Sequence, residues 1–302
     1  MSKTILALAA AALFFGGLFG AASNSLATTF AVMGDTQRFE AGIANGSLQT
    51  AVKQIKKKKV QAVVAMGDLK GDCYDDDSCL SNFNSWKSAM SPIYKKTYAV
   101  MGNHDRLYSG ADALWQSVFN LPTNGPENYS ELAYAFNKGD SHFVVLNSSK
   151  PNDYAVDSNQ RNWLEQDLSR NKKMNVFVFF HMPAFPVSSH IGSALDVYPA
   201  ERDALWEILD RHKVTAVFSG HEHIFSRKKI DSSVFSGATK SIYQFTVGNT
   251  DSIAYAAPQE GLSEYYNLEK HFLIVKTSKK KIVTELYSAT TGKKLNSFSF
   301  RK

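Results

Sequence analysis

Thr29-Phe30-Ala31-Val32-Met33-Gly34-Asp35-Thr36-Gln37 sets the pattern of this chain: an apolar run without alternation, a glycine, then polar side chains able to hold a ligand. Four further stretches repeat it. Ala62 to Met66 leads into Gly67-Asp68, Tyr98 to Met101 into Gly102-Asn103-His104-Asp105, Val176 to Phe180 into His181, and Val214 to Phe218 into Gly220-His221-Glu222-His223. Apolar runs of about four to eight residues, bounded by glycine or a polar residue, are the pattern of strands buried on both faces. Between them, apolar residues recur at spacings of three and four in Ile43 to Ile55, Asn82 to Met90, Ala111 to Phe119, Asn159 to Ser169 and Pro199 to His212. That spacing predicts helices, and strands alternating with helices imply an α/β core.

Elsewhere the chain reads as strand. Leu132 to Asn137 and His142 to Asn147 alternate across the turn Lys138-Gly139-Asp140-Ser141 and form a hairpin. After Gly220 come Ile224 to Ile230, Ser241 to Val247, His271 to Thr277, Lys281 to Ser288 and Leu295 to Phe300, expected to form or complete a second sheet packed on the first. Lys279 to Lys281 sits between two strand patterns and reads as a hairpin turn. With no repeat and no low-complexity linker, residues 28–302 are expected to be one domain.

The first 27 residues stand apart. Lys3 precedes an apolar or small-residue run from Ile5 to Ala22 without a charge, and Ser25-Leu26-Ala27 has the small residues of a cleavage site. This is the pattern of an export signal, with the mature chain starting near Thr28 and the product periplasmic or secreted. The rival is a retained N-terminal anchor, because about 18 apolar residues is the lower edge of spanning length. No other stretch is long and apolar enough to span. In an oxidising compartment Cys73 and Cys79 read as a small-loop disulfide around the acidic loop Asp75 to Asp77. The net charge of +6 suits anionic partners of several classes and selects none of them.

The polar strand ends carry the chemistry. Ligands of open α/β sheets collect where strands run into loops at the carboxyl edge. Here that edge collects carboxylates, amides and imidazoles with no thiolate, a donor set for hard to borderline divalent metals. Each motif alone is weak, a Gly-Asp being commonly a turn and a lone histidine commonly structural. Five in this order are not explained that way.

The set G-D-x-Q, G-D, G-N-H-D, H and G-H-x-H, from Asp35 to His223, resembles the calcineurin-like metallophosphoesterase superfamily. The resemblance implies a four-layer α/β/β/α sandwich with two mixed β-sheets, and hydrolysis of phosphate mono- or diesters by metal-bound hydroxide at a dinuclear centre. Carried over residue by residue, it makes Asp68 the carboxylate bridging two divalent or trivalent ions of Mn, Fe or Zn. Asp35 and His223 hold the first ion, and Asn103, His181 and His221 the second. His104 becomes the acid or hydrogen-bond donor to the leaving oxygen, with Asp105 fixing its ring.

Two departures narrow the likeness. Gln37 stands where the first motif usually has histidine, as in branches that include pyrophosphatases, and it either ligates the first metal or only hydrogen-bonds there. Gly71 stands where purple acid phosphatases have the tyrosine that ligates iron, so a purple centre is not expected. Arg38 and Arg106 follow metal motifs and either contact phosphate or form salt bridges. His142, His190, His212 and His271 match no motif and are expected to be structural or exposed. The expected partner is a phosphate-ester substrate, and no nucleic-acid-binding module is visible. The alternative is a non-catalytic metal- or ligand-binding envelope protein on the same scaffold.

Overall fold

The structure, a computed structural model, describes residues 27–38, 42–43 and 46–301. The expected export signal lies outside the described residues. In chain order the strands begin with β1 (Thr29–Met33), the short β2 (Gln37–Arg38) and β3 (Gly42–Ile43), β4 (Ala62–Ala65) and β5 (Thr97–Ala99). Then follow β6 (Tyr134–Lys138), β7 (Ser141–Val145), β8 (Asn175–Phe179), β9 (Ala216–Ser219), β10 (Phe225–Ile230) and β11 (Ile242–Val247). The last are β12 (Tyr265–Asn267), β13 (His271–Thr277), β14 (Lys281–Ser288) and β15 (Lys294–Arg301). Among the described residues five α-helices intervene: α1 (Gly46–Lys57), α2 (Asp76–Met90), α3 (Ala111–Val118), α4 (Ser158–Arg170) and α5 (Pro199–Arg211).

Apart from β2 and β3, which pair as a separate two-stranded ribbon, the strands form two mixed sheets, ordered β15-β14-β13-β1-β4-β5 and β12-β10-β11-β9-β8-β7-β6. Within the first, β1, β4 and β5 are parallel, and within the second so are β7, β8, β9 and β11. The five apolar runs become β1, β4, β5, β8 and β9; β1, β4, β8 and β9 are buried almost throughout, with a sheet on one side and helices on the other, whereas Thr97 and Tyr98 of the edge strand β5 are half-buried. Between the sheets lies an aromatic layer, with Phe30 of β1 4.9 Å from the rings of both Phe143 and Phe177. Val176, Val178 and Val217, on the other face of β8 and β9, pack with Leu164, Leu205 and Trp206 of α4 and α5. The result is the four-layer sandwich.

Three expectations need correction. The strands after Gly220 do not stay together: β10 to β12 join the second sheet, whereas β13 pairs antiparallel with β1 and brings β14 and β15 into the first. Alternation marks a strand's faces but not its neighbour, so this partition is invisible locally. Residues Asp75 to Asp77 are not a loop but the start of α2: Asp75 accepts the Ser78 amide as N-cap, and Asp76 and Asp77 occupy the first turn. Carboxylates favour that end of a helix because its free N–H groups carry partial positive charge. Helix α1 begins at Gly46 rather than Ile43, its first amides received by the distant Asp251, which accepts from Ser47 and Leu48.

Candidate metal centre

The carboxyl ends of β1, β4 and β5 meet those of β8 and β9 where the two sheets face each other. Each sheet brings one kind of donor. The first supplies Asp35, Gln37, Asp68 and Asn103; the second supplies His181, His221 and His223, and all of these but Asn103 are buried. Asp35, Asp68 and His221 adopt left-handed backbone with φ of 54°, 50° and 68°. That conformation costs of order 1–3 kcal/mol for a non-glycine residue and persists where the surroundings impose it, commonly at functional sites. Here it turns each side chain back across its strand end. The motif glycines make room: Gly67 has φ +92°, and a Cβ on Gly102 would lie 2.2 Å from Asp68 Oδ1.

The donor atoms converge in two sets sharing Asp68. One ligand atom each from Asp68, His181 and His221, and one each from Asp35, Asp68 and His223, lie within 4.8 Å of one another. Asn103 Oδ1 lies 3.1 Å from His181 Nε2 and 3.0 Å from His221 Nδ1, on the second-metal side assigned to it. Each imidazole turns its other nitrogen to a backbone carbonyl: His181 Nδ1 to Met66 O at 2.6 Å, His221 Nε2 to Ser193 O at 2.9 Å and His223 Nδ1 to Ile253 O at 2.9 Å. A carbonyl only accepts, so those nitrogens carry the protons. The lone pairs of the remaining nitrogens point into the cluster, which is how metal-binding histidines are oriented.

The electrostatics point the same way. Asp35 Oδ2 is buried without a hydrogen-bond partner among the described residues, and burial raises the Asp35 carboxyl well above its ordinary value. Asp68 is held far below its ordinary value: burial opposes its charge, but the adjoining His181 imidazole outweighs burial. Reciprocally, burial lowers His181, but Asp68 and then Asp35 push it up to about 10. A buried carboxylate pair with no lysine or arginine between its oxygens needs positive charge from elsewhere. A proton on His181 supplies some; a divalent cation among the same atoms supplies more and leaves the imidazole neutral, with Nδ1 still donating to the Met66 carbonyl. The donor set therefore fits two metal ions.

The surrounding residues revise several assignments. Asp105 does not hold the His104 ring: its two oxygens accept the amides of Leu69 and Gly102, 3.0 Å each, and tie the second motif to the third. The carboxylate on His104 is Asp72, with Oδ1 2.6 Å from Nδ1. Both side chains are partly exposed, at 23% and 28%, so His104 opens toward solvent. Gln37 directs Nε2 at Asp68 Oδ2 (3.1 Å) and His223 Nε2 (3.3 Å), with Oε1 on Ser252 Oγ (2.9 Å), the arrangement of a hydrogen-bond donor rather than a ligand. The Ser252 hydroxyl can donate or accept, so the reversed amide, with oxygen toward the cluster, satisfies the same neighbour. Arg106 bonds Asp112 and Ser149 O, the salt-bridge alternative; the side chain of Arg38 lies outside the described residues.

His190 was expected to be structural or exposed, yet it stacks on His221 with ring centroids 3.8 Å apart and meets Tyr255 at 5.1 Å; Tyr255 in turn stacks on His223 at 4.0 Å. The loop delivering His190 is gripped by Glu222, whose fully buried carboxylate accepts the amides of Val187 at 3.1 Å and Ser188 at 2.5 Å. Gln244 holds the same loop at Ala184 and Phe185. Lys70 is fully buried, its ammonium donating 2.8 Å to His104 O. His142 and His212 instead pair with Asp167 and Glu165, away from the cluster. The one sequence signal for Glu222 was a carboxylate inside the last motif; nothing local marked His190, Asp72 or Lys70.

A family model described as calcineurin-like phosphoesterase matches residues 28–225, more than half of the chain. The chain belongs to this family. It is 28% identical over 188 residues to purple acid phosphatase 13 of Arabidopsis thaliana, covering 57% of the chain and 33% of that protein. To tartrate-resistant acid phosphatase type 5 of Sus scrofa it is 24% identical over 143 residues, 42% of the chain and 41% of that protein. The chain spans about a third of the length of the first of these purple acid phosphatases. Among solved structures, a purple acid phosphatase from yellow lupin seeds superposes with TM-score 0.75 at 18% identity, over 92% of the chain and 54% of that protein. A dimetal phosphatase from Danio rerio gives TM-score 0.65 at 15% identity, over 91% and 98%. These likenesses show the fold. At the tyrosine position of the purple enzymes the chain keeps Gly71, and the next tyrosine, Tyr74, is 67% exposed. Cys73 and Cys79 are disulfide-bonded, as their spacing suggested, with Cys79 inside α2. No helix among the described residues is long and apolar enough to cross a membrane.

Proposed function

We propose that this is an exported, dinuclear metal-dependent phosphoesterase whose single catalytic domain spans residues 28–302, acting on phosphate mono- or diesters, with pyrophosphates as a further class. The observation that carries the reading is the pair of donor sets sharing Asp68, each completed by a histidine whose other nitrogen is fixed on a carbonyl. Asp35, His223 and Asp68 would hold the first ion, with Gln37 beside it; Asp68, Asn103, His181 and His221 would hold the second. When bound, two such ions supply Lewis acidity at the phosphorus oxygens and activation of water. The oxygen- and nitrogen-rich donor set suits Mn, Fe or Zn.

The chain's own residues do the rest. His221 N donates to Asp35 and His104 N to Asp68, fixing both carboxylates before any ligand arrives. Asp72, as acceptor, places the proton of the His104 ring on Nδ1. A protonated Nε2 would donate to the departing oxygen. His190 and Tyr255 wall the imidazole side of the site. The disulfide supports an exported protein, since such bonds persist in oxidising compartments.

The test is a panel of phosphomonoester, phosphodiester and pyrophosphate substrates with protein reconstituted in turn with Mn, Fe and Zn, each preparation also analysed for bound metal. Two ions per chain and turnover of at least one class are expected. Two bound ions with no turnover on any substrate would favour the non-catalytic scaffold.

A further inference from the structure

The amino ends of the parallel strands form a second functional face, opposite the metal centre. Two cavities meet there at β15. One, of 780 Å³, is lined among others by Lys213, Lys229, Lys240, Tyr243 and Phe300; the other, of 630 Å³, by Lys279, Lys280 and Lys281; Ser299, Phe300 and Arg301 belong to both. No lining residue of either is acidic. Of the lysine and arginine side chains lining them, only that of Lys229 has a carboxylate partner among the described residues, Asp231 at 3.0 Å; the backbone amide of Lys240 donates 3.0 Å to Asp210. Lys281 stands directly opposite Arg301 across the β14–β15 pair, and like charges so placed destabilise a sheet. Folding alone gives no reason for that juxtaposition, whereas an anionic partner relieves it.

The path of the chain indicates which anion. Thr28 N donates 2.7 Å to Thr277 Oγ1, two residues before Lys279, so the chain enters the fold beside the basic cavities. Ala22, six residues before Thr28, ends the uncharged run Ile5 to Ala22, the one stretch of the sequence apolar enough for a bilayer; retained as an anchor, it would bring this face to the membrane. From Thr28, β1 runs away from this face toward Asp35.

We propose that this face docks on the surface of a bilayer containing anionic phospholipid, its lysines on the headgroup phosphates and Tyr243 and Phe300 at the interface, with the metal centre turned to solvent. Basic clusters beside an apolar segment bind such surfaces additively, and aromatic residues are enriched at the interface.

The test is co-sedimentation of the full chain with vesicles of phosphatidylcholine alone or with a third of phosphatidylglycerol. The difference between the two is the readout, since an apolar segment partitions into both. Binding to the anionic vesicles should be tighter by at least about tenfold at low salt, and the difference should vanish in high salt. The triple variant Lys279→Gln, Lys280→Gln, Lys281→Gln should remove most of it. Lys280→Glu should weaken it severalfold, while Lys293→Glu, in the turn at the other end of β14, leaves it unchanged. Equal binding to both vesicle types, equal weakening by Lys280→Glu and Lys293→Glu, or tighter binding of a single-stranded oligonucleotide through these same lysines would each overturn the proposal. Metal content of the variants, expected to be unchanged, reports that they are folded.

Discussion

Two histidines lie fully buried in the two sheets, and burial disfavours the charged form of both, yet they end on opposite sides of the ordinary value. His181, at the carboxyl end of β8, is pushed up to about 10, whereas His271, at the start of β13, is pushed down to about 4. Both turn Nδ1 to a backbone carbonyl, Met66 O and Glu269 O. They differ at Nε2. That of His181 lies 3.3 Å from Asp68 Oδ2, while that of His271 has no hydrogen-bond partner among the described residues and its ring stands edge-on to Phe225. Burial alone thus drives an imidazole to neutrality, and only the carboxylates of the first sheet make the metal end of the second sheet demand positive charge.

The severest way to break that contrast is Asp68→Asn. An amide presents one oxygen where the carboxylate presents two and removes the charge, so the variant should retain neither metal and fall to background activity. Metal analysis of purified protein decides it; two retained ions would show that Asp68 does not bridge.

Next in size is His104→Ala. His104 differs from both buried rings in being partly open to solvent, and it takes its carboxylate, Asp72, from outside the metal cluster. The variant should keep both ions and lose about 10² to 10⁴ in turnover of an alkyl phosphate. It should lose far less on a nitrophenyl ester, whose departing oxygen needs little protonation. Asp72→Asn should shift in the same direction by a smaller factor. Wild-type turnover of the alkyl ester by His104→Ala would remove that residue from the chemistry.

How far this site could be read in the sequence follows from the range of the interactions that build it. Asp35, Asp68, Asn103, His181, His221 and His223 were legible because they follow the ends of five apolar strands, the last two sharing β9, and a strand and the polar residues at its end are local features. The Cys73 to Cys79 bridge was legible for the same reason. Asp72 on His104, and Glu222 holding the loop that carries His190, join residues 32 and 34 positions apart through loops whose course has no periodic signal. The addition of β13 to β1 likewise depends on a pairing some 240 residues distant, Thr29 with Lys276. Asp105 was misassigned because adjacency in sequence suggested adjacency of side chains, whereas the turn after Gly102 directs it back to the amides of Leu69 and Gly102.

The other half of the contrast is testable by pH. His271 is fully buried and its folded-state value lies below the ordinary 6.5, at about 4. Protonation therefore favours the unfolded chain. The stability this residue contributes is complete above about pH 6.5, falls as pH drops through that value toward 4, and changes no further below. The full span is about 3 kcal/mol. Urea unfolding of wild type and His271→Gln between pH 7 and 4 should show the variant, less stable at pH 7, losing less stability on acidification. Parallel pH profiles would mean that His271 is not held neutral.

The smallest effect is expected for Gln37→Ala, and it sharpens the comparison because Gln37 is the one departure from the family's donor set at the first ion. With Nε2 turned to Asp68 and His223, the amide is a neutral donor bracing two ligands that are already fixed by other bonds: Asp68 by the His104 amide and His223 by the Ile253 carbonyl. Removing it should weaken the first ion by about tenfold, the low end of the range for residues that support metal ligands. The second ion shares only Asp68 with Gln37 and should be weakened less. Stepwise titration with a competing chelator separates the two ions, giving a larger shift for the first affinity than for the second. Loss of the first ion altogether would instead mean that the amide is reversed, with Oε1 in the coordination sphere, and that Gln37 replaces the usual histidine as a ligand.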